Sequence, residues 1–351
     1  MDISLRTNKM LAAVLYGKEQ VKVEPVAVPE IGSGDILVRV KAALTCGTDV
    51  KVFRRGYHAR MIVPPALFGH ELAGDIVAVG RDVVRWRTGQ RIMAANSAPC
   101  GRCFYCQKNV ENLCEDLLFN NGAYAEYIRI PERIAERNTY ELPGHVSYQD
   151  AALAEPLACV LRGVDESNIR AGDNVVIIGL GPIGLMFVRV AALKGARVIA
   201  IGRRPMQLDR AASLGAQVLL TADDDLNIVT AVRDVTKDHG ADIAIEAVGS
   251  PQTWQQAVQM VRRGGTVNFF GGCPSDTTVP IDTQHLHYSE ITLKASFHHT
   301  PAHIRAALDM ITQGHITARQ FVNSEAPLSK LLDVFKHLMS HNGHLKTAII
   351  P

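Results

Sequence analysis

Four cysteines lie within fifteen residues, at Cys100, Cys103, Cys106 and Cys114. Four thiolates in a closed tetrahedron form a structural zinc arrangement, and a bound metal folds a loop that has little apolar material of its own. An iron–sulfur cluster is a second interpretation that the spacing leaves open, although the Cys-Pro pair of many such clusters is absent. Disulfides are a third. We predict a structural zinc lobe over about residues 96–118.

Whether the seven cysteines of the chain form disulfides depends on the compartment in which the protein folds. The first nine residues are polar and lack an apolar core, so we expect no signal peptide and interpret residues 1–9 as a loose N-terminal extension. Cysteines in a reducing compartment usually bind metals or act in catalysis rather than form disulfides. We therefore expect a cytoplasmic protein whose clustered thiols bind zinc.

A second set of potential zinc ligands is spread along the chain: Cys46, His70, Glu71 and Glu155. Each of the first three also has an ordinary structural interpretation, as a buried free cysteine, a hydrogen-bonded core histidine or a surface glutamate. Glu155 falls in an apolar helix predicted over residues 151–161, where a carboxylate is costly unless it is paired or bound to a metal. The thiolate, imidazole and carboxylates are ligand types that zinc takes.

A G-x-G-x-x-G motif follows the apolar run 175–178 and spans Gly179, Gly181, Pro182, Ile183 and Gly184. The first glycine allows a sharp turn out of a strand, the second lets a pyrophosphate approach the backbone, and the third lets the helix over residues 185–194 pack on the sheet. The phosphates then sit at the helix N-terminus. With a second strand at 198–201, the pattern predicts a dinucleotide-binding β-α-β unit.

The same stretch has an alternative interpretation as a transmembrane span, because residues 175–193 are almost all apolar. Two glycines and a proline near its start, with Arg189 inside, argue against a span. The second strand ends at Gly202, Arg203 and Arg204 rather than at the acidic residue that usually holds the ribose of NAD. A guanidinium can pair with a 2′-phosphate, so we favour NADP(H) over NAD(H). Solvated arginines at a helix start are the alternative.

Composition limits the remaining possibilities. A chain of 351 residues suggests two domains, and 47% apolar with 21% charged residues describes an ordinary globular protein. The net charge of +2 is too small to indicate nucleic acid or an anionic membrane surface as a partner.

The predicted elements change character along the chain. Short β segments and turns dominate early, whereas strands and helices alternate from about residue 165, which predicts a doubly wound α/β domain. Val248, Gly249, Phe270 and Gly271 fall at strand ends, where such sheets bind ligands. The predicted strands cover residues 11–16, 21–28, 36–44, 76–79, 217–220, 242–246, 266–270, 291–296 and 347–350, and further helices cover 205–214, 226–238, 252–262, 303–313 and 328–341.

In this order, the motifs resemble the zinc-containing medium-chain dehydrogenase/reductase family of the alcohol dehydrogenase superfamily, within its sorbitol (polyol) and threonine dehydrogenase branch. The resemblance rests on residues 46–49 and 69–71, the cysteine lobe, residues 155–158 and the glycine motif. It implies an α/β protein with a GroES-like, mostly-β catalytic domain over 1–162, a Rossmann doubly wound parallel-sheet domain over 163–296, and a return to the catalytic domain over 297–351.

The resemblance also implies roles for individual residues. Cys46 and His70, with Glu71 or Glu155, would hold a catalytic zinc that lowers the pKa of an alcohol, and a hydride would pass to the nicotinamide. Thr48 matches the Ser/Thr that relays the hydroxyl proton. Lys51 stands where the relay usually continues through a histidine, so it could instead contact the ribose or substrate oxygens.

Two further segments depart from the family pattern. Phe297-His298-His299 aligns with a polyol-contacting segment that usually contains Arg and Tyr, which indicates a different substrate. We interpret residues 51–58 as a basic loop, and its Arg54 and Arg55, with His58 and Arg60, are either a solvated face or a site for an acidic substrate.

The sequence therefore predicts a dehydrogenase with two zinc ions per subunit, acting with NADP(H) on a secondary alcohol of a polyol, sugar or cyclitol. One alternative is an NAD-linked L-threonine 3-dehydrogenase, and another is a catalytically silent nucleotide-binding protein. Zinc-free quinone reductases fit poorly because they lack the cysteine lobe. We expect a small-molecule alcohol or ketone substrate, no nucleic acid, no membrane and a homo-oligomer, either a dimer or a tetramer.

Overall fold

A computed structural model of the chain describes residues 8–57, 61–223, 227–340 and 345–351. Most of the proposed N-terminal extension, together with His58 and Arg60, lies outside the described residues. The chain divides into two compact units: unit 1 contains Met1–Ala158 and His299–Pro351, and unit 2 contains Cys159–His298. The domain limits at 162/163 and 296/297 stay a prediction from the sequence. Among the described residues, no helix is long and apolar enough to cross a membrane.

Unit 1 is built mainly from antiparallel β-sheet. Its largest sheet has the order β10-β6-β5-β3-β18-β17, with β9 also on β3, and a second sheet has the order β2-β1-β4. The strands are β1 (Lys9–Gly17), β2 (Gln20–Ala27), β3 (Ile36–Leu44), β4 (Ala66–Leu67), β5 (Glu71–Val79), β6 (Arg91–Ala94), β7 (Ser97–Ala98), β8 (Leu118–Phe119), β9 (Tyr127–Ile130), β10 (Thr139–Glu141), β17 (Val322–Pro327) and β18 (Lys346–Ile350).

The central strand β3 shows why this sheet forms. Its β-branched residues Ile36, Val38 and Val40 are buried, whereas Arg39 is exposed, so one face packs on the core. β18, from the end of the chain, pairs antiparallel with β3 and parallel with β17. The C-terminal segment therefore completes a sheet that the N-terminal segment begins.

The helices of unit 1 differ from the sequence prediction in two places, at residues 51–55 and at residues 151–161. They are α1 (Gly47–Arg55), α2 (Phe104–Gln107), α3 (Glu132–Arg137), α4 (Tyr148–Ala152), α5 (Ala154–Glu166), α11 (Pro301–Thr312), α12 (Ala318–Phe321) and α13 (Leu331–Met339). The stretch 51–55, interpreted as a basic loop, is helical because Cys46 and Asp49 cap α1 and because Val52 and Phe53 bury one face. The single helix predicted over 151–161 is two helices, and Ser147 caps the first of them.

Unit 2 is a doubly wound α/β domain, as predicted. Its six strands are all parallel and have the order β13-β12-β11-β14-β15-β16. The elements are β11 (Asn174–Ile178), α6 (Pro182–Leu193), β12 (Arg197–Gly202), α7 (Pro205–Ser213), β13 (Val218–Thr221), α8 (Ile228–Val235), β14 (Ala241–Glu246), α9 (Pro251–Met260), β15 (Val261–Phe269), α10 (Thr283–Tyr288) and β16 (Thr292–Ala295). α5 begins in unit 1 and ends in unit 2.

Asp242 ties three strands of unit 2 together at their beginnings. Its Oδ2 accepts a hydrogen bond from the Asn174 backbone N–H at 2.7 Å, and its Oδ1 accepts one from Arg262 Nε at 2.6 Å. Burial raises the pKa of Asp242, but the hydrogen bonds from Arg262 and Asn174 outweigh burial and hold the pKa below its ordinary value.

Replacing Asp242 with Asn should therefore destabilise the protein in a pH-dependent way. The folded-state pKa is lowered, so the stabilisation is complete above the ordinary pKa of about 4 and is lost as the pH falls through the folded value. We expect a loss of about 1–2 kcal/mol at pH 7 that shrinks toward pH 3, measured by denaturant unfolding. Asp209→Asn, at an exposed aspartate of the same unit, is the control and should leave the unfolding free energy unchanged at every pH. A loss for Asp242→Asn that grows in acid would contradict the assignment.

Candidate metal centres and nucleotide site

The first candidate metal centre lies in unit 1, where the end of β3 lies beside the start of β5. Leu44 pairs with Glu71 in the sheet, so Cys46, just beyond β3, comes close to the start of β5. The ligand atoms of Cys46, His70 and Glu71 all lie within 4.8 Å of one another. His70 is 4% exposed and Glu71 is fully buried. A thiolate, an imidazole and a carboxylate this close, and largely withdrawn from water, form a donor set that fits zinc.

A hydrogen-bonded aspartate orients the histidine of this cluster. Nδ1 of His70 lies 2.9 Å from Asp49 Oδ1, which leaves Nε2 to offer its lone pair to a metal. Burial lowers the pKa of His70, but the charges of Asp49 and Cys46 outweigh burial and raise that pKa well above its ordinary value. Zinc binding needs the neutral ring, so zinc and a proton would compete for His70.

Lys346 is a charged residue of this region that sequence reasoning missed. Its side chain is 2% exposed, and its Nζ donates to both oxygens of Glu71, at 2.6 and 2.7 Å, and to the Thr45 carbonyl at 3.0 Å. Burial raises the pKa of Glu71, and the Lys346 ammonium opposes that rise. The available signal was a lysine at the start of an otherwise apolar final strand, because a charge there is costly unless it is paired.

Glu155, the other candidate carboxylate, is also buried. Burial raises the pKa of Glu155 to about 7, and His70 opposes that rise. Its Oε1 lies 3.7 Å from Nε2 of His299, and that nitrogen lies 3.0 Å from Asn96 Oδ1. His299 belongs to the segment that the sequence analysis aligned with a substrate-contacting segment. In the structure its neighbours are the buried amide of Asn96 and the buried carboxylate of Glu155.

Thr48 and Lys51 both lie on α1, next to this cluster in sequence. The Thr48 backbone N–H lies 3.4 Å from Cys46 Sγ, and the Thr48 side chain is partly exposed. Lys51 is exposed about one turn further along the helix. Thr48 thus lies against the cluster, whereas Lys51 faces water.

The second candidate metal centre is the cysteine lobe, also in unit 1. The Sγ atom of Cys103 lies 3.5 Å from that of Cys106 and 3.8 Å from that of Cys114, and Sγ of Cys100 lies 4.0 Å from that of Cys106. All seven cysteines are free in the structure, and these sulfur separations are longer than a disulfide bond of about 2 Å. The short helix α2 and a 3-10 turn at Glu111–Leu113 carry the lobe. Four sulfur atoms converging on one point fit a tetrahedral zinc site.

Two of these thiols have opposite pKa shifts, with different physical causes. Hydrogen bonds from the backbone of Cys106 and Glu115 lower the pKa of Cys103 to about 6. Burial raises the pKa of Cys106 to about 12. The two thiols therefore differ in pKa, and zinc binding to the lobe needs both of them as thiolates.

The glycine motif of unit 2 lies between β11 and α6. Gly179 has φ +93°, a left-handed conformation that leads the chain out of the strand. A Cβ on Gly184 would lie 1.8 Å from the Gly179 carbonyl oxygen, so only glycine fits there. A Cβ on Gly181 would meet no atom within 4 Å, so this glycine is not needed for packing. Open space beside an N-cap glycine suits a phosphate at the helix N-terminus. Pro182 and Ile183 open the helix.

Other predicted nucleotide-binding residues lie at the same carboxyl edge of the parallel sheet. Gly202 ends β12, and Arg203 and Arg204 follow it; Val248 and Gly249 follow β14, and Phe270 and Gly271 follow β15. Within the described ranges of the chain, neither guanidinium of Arg203 and Arg204 has a hydrogen bond or an ion pair. Sequence reasoning missed Glu246, a buried acid whose Oε1 accepts from the N–H groups of Val248 and Gly249 at 2.8 and 2.9 Å and so shapes this loop.

Comparisons with known proteins agree with this architecture. Residues 32–141 match the alcohol dehydrogenase GroES-like domain, and residues 182–313 match the zinc-binding dehydrogenase family. The sorbitol dehydrogenase of Bacillus subtilis (strain 168) is 29% identical over 98% of both chains. The L-threonine 3-dehydrogenase of Symbiobacterium thermophilum is 34% identical over 71% of both chains.

A solved structure extends the likeness. A protein described as a zinc-binding dehydrogenase from Sinorhizobium meliloti 1021, with NADP bound, is 32% identical, has a TM-score of 0.89 and aligns over 98% of this chain and 99% of its own. The chain therefore belongs to the zinc-containing medium-chain alcohol dehydrogenase family. It is a zinc-dependent oxidoreductase of alcohols that uses a nicotinamide cofactor.

Lys346→Met should destabilise unit 1 strongly, because Glu71 would stay buried without its cation. We expect a loss of about 3–5 kcal/mol at neutral pH, measured by calorimetry, and a smaller loss in acid, where Glu71 takes up a proton. The double variant Glu71→Gln with Lys346→Met is the matched control and should recover most of the stability. Equal losses in the single and double variants would show that the ion pair is not the cause.

Proposed function

We propose that this protein oxidises a secondary alcohol of a polyol, sugar or cyclitol, or reduces the matching ketone, with NADP(H). The observation that carries the proposal is the buried convergence of Cys46, His70 and Glu71 within 4.8 Å. The named activities of relatives, sorbitol dehydrogenase and D-xylulose reductase, support the polyol class. The 34% identity to an L-threonine 3-dehydrogenase keeps that reaction as a second candidate.

In this proposal the chain holds two zinc ions. Cys100, Cys103, Cys106 and Cys114 bind the structural ion. Cys46 and His70 bind the catalytic ion, together with Glu71 or Glu155. Geometry groups Glu71 with the other two ligands, but both of its oxygens already accept hydrogen bonds from Lys346. Among the described residues, Glu155 has no ammonium group at hydrogen-bond distance.

Residues next to the proposed zinc ligands orient the histidine ring and move the substrate proton. A catalytic zinc ion would supply a Lewis acid that lowers the pKa of an alcohol. Asp49 fixes the ring of His70 and its tautomer, so the imidazole presents Nε2. Thr48, against Cys46, is proposed to relay the substrate hydroxyl proton: its oxygen accepts that proton and its own hydroxyl proton passes to water. Lys51, exposed on the same helix, is proposed to contact the ribose or substrate oxygens.

The cofactor is proposed to bind at the carboxyl edge of the unit 2 sheet. The open backbone at Gly181 and the N-terminus of α6 suit the pyrophosphate, and Gly249 and Gly271 let their two loops pack closely at the same edge. Arg203 and Arg204, with no acid at the end of β12 to repel a phosphate, are proposed to pair with the 2′-phosphate of NADP(H). A homo-oligomer and a cytoplasmic location are further parts of this proposal.

Cys46→Ser tests the catalytic centre. We expect zinc content to fall from two ions to one per chain, turnover of polyols to fall at least about 1,000-fold, and the fold to survive because the lobe keeps its zinc. Atomic absorption, steady-state rates and thermal unfolding measure the three effects. Cys103→Ser is the comparison variant: it should also lose one zinc ion, but with a clear loss of thermal stability. Unchanged turnover in Cys46→Ser would disprove the assigned centre.

The double variant Arg203→Ala with Arg204→Ala tests the cofactor assignment. Charge-assisted hydrogen bonds to the 2′-phosphate would be lost, so we expect kcat/KM for NADP to fall about 10–100-fold while that for NAD stays the same. Arg263→Ala, an exposed arginine elsewhere in unit 2, should change neither value. An equal fall with both cofactors would count against 2′-phosphate recognition.

A further inference from the structure

Tyr124, in the segment Ala123–Tyr127, is a buried tyrosine whose ring is held on several sides. It is fully buried, its backbone pairs with Ala13 and Phe68, and its ring packs edge-on against Phe68 and Phe335. A Cβ on Gly69 would lie 2.6 Å from the ring, so the glycine before His70 makes room for it. The position of the Tyr124 hydroxyl is therefore fixed by packing.

This hydroxyl meets the aspartate that orients His70. Tyr124 Oη lies 2.5 Å from Asp49 Oδ2 and 3.1 Å from the Leu44 carbonyl oxygen. A hydroxyl has one proton, and an ionised carboxylate is the stronger as well as the nearer acceptor. The hydrogen bond to Asp49 is the one that the geometry favours.

A count of hydrogen bonds shows what Asp49 would lose without this hydroxyl. Oδ1 is engaged by His70, and Oδ2 is engaged by Tyr124 and, at the longer distance of 3.3 Å, by the Cys46 backbone N–H. The aspartate is 2% exposed, so water offers little replacement. With the hydroxyl removed, Oδ2 would keep only the weak contact to Cys46, and the carboxylate could rotate away from His70.

We propose that Tyr124 is a positioning residue that acts through Asp49: its hydroxyl holds the carboxylate, which holds the His70 ring toward the metal. The inference rests on the proposed function, because it assumes that His70 binds zinc. It goes further by assigning a role in metal retention to a phenol that is hydrogen-bonded to Asp49 and is not one of the proposed ligands.

Tyr124→Phe removes the hydroxyl and keeps the ring. We expect zinc to leave the His70 centre about 10–100-fold faster under a chelator, since loss of an outer hydrogen-bond partner typically has that effect on metal affinity. Zinc should leave the cysteine lobe at the wild-type rate. The Cys46→Ser variant, which keeps only the lobe zinc, identifies that phase, and the visible spectrum of the cobalt-loaded enzyme reports the geometry of the His70 centre.

Two controls separate positioning from general destabilisation. Tyr140→Phe removes a different tyrosine hydroxyl of unit 1, one that donates to the Pro301 carbonyl at 3.0 Å, and should change neither zinc phase. In an Asp49→Asn background, Tyr124→Phe should have a much smaller effect on zinc release, because the residue through which it acts has changed.

The possible results are distinct. Faster release confined to the His70 centre, with coupling to Asp49, supports the inference. Wild-type release from Tyr124→Phe, equal acceleration of both zinc phases, or an undiminished effect in Asp49→Asn overturns it while the proposed function stands. A wild-type protein that holds only the lobe zinc overturns the proposed function, and the inference with it.

Discussion

The ion pair between Glu71 and Lys346 is the interaction on which the arrangement of unit 1 depends. A carboxylate withdrawn from water is tolerated only with a partner, and here the partner comes from the other end of the chain. The pair fixes β18 beside β3 and holds Glu71 within reach of Cys46 and His70. Buried polar groups around this pair also have partners: His70 is hydrogen-bonded to Asp49, and Asp49 accepts a hydrogen bond from Tyr124.

Unit 2 satisfies a different constraint, set by backbone geometry rather than by charge. Close approach of α6 to the strand before it is possible only because Gly184 has no side chain, and the left-handed turn at Gly179 starts that approach. Gly181 contributes nothing to this packing. The space beside Gly181 suits a phosphate. One short motif therefore contains two glycines that the fold requires, Gly179 and Gly184, and one that the proposed site requires, Gly181.

Much of this was predictable from the sequence because the relevant signals are local. The four-cysteine spacing, the glycine motif and the alternating strands of unit 2 each lie within short stretches, and the zinc dehydrogenase family followed from them. The helix at 47–55 was missed because its two buried apolar residues, Val52 and Phe53, are outnumbered by charged residues. Lys346 and the Tyr124 hydroxyl could not be assigned, because their partners lie 275 and 75 residues away.

The distant position of β18 also has a consequence for the order in which the chain can fold during synthesis. All six strands of unit 2 precede residue 296, so its sheet can close while the last part of the chain is still within the ribosome. The main sheet of unit 1 must wait for Lys346–Ile350, and until then Glu71 lacks the Lys346 ammonium. The nascent protein can therefore complete the sheet of unit 2 before the candidate metal centre gains the Lys346 ammonium.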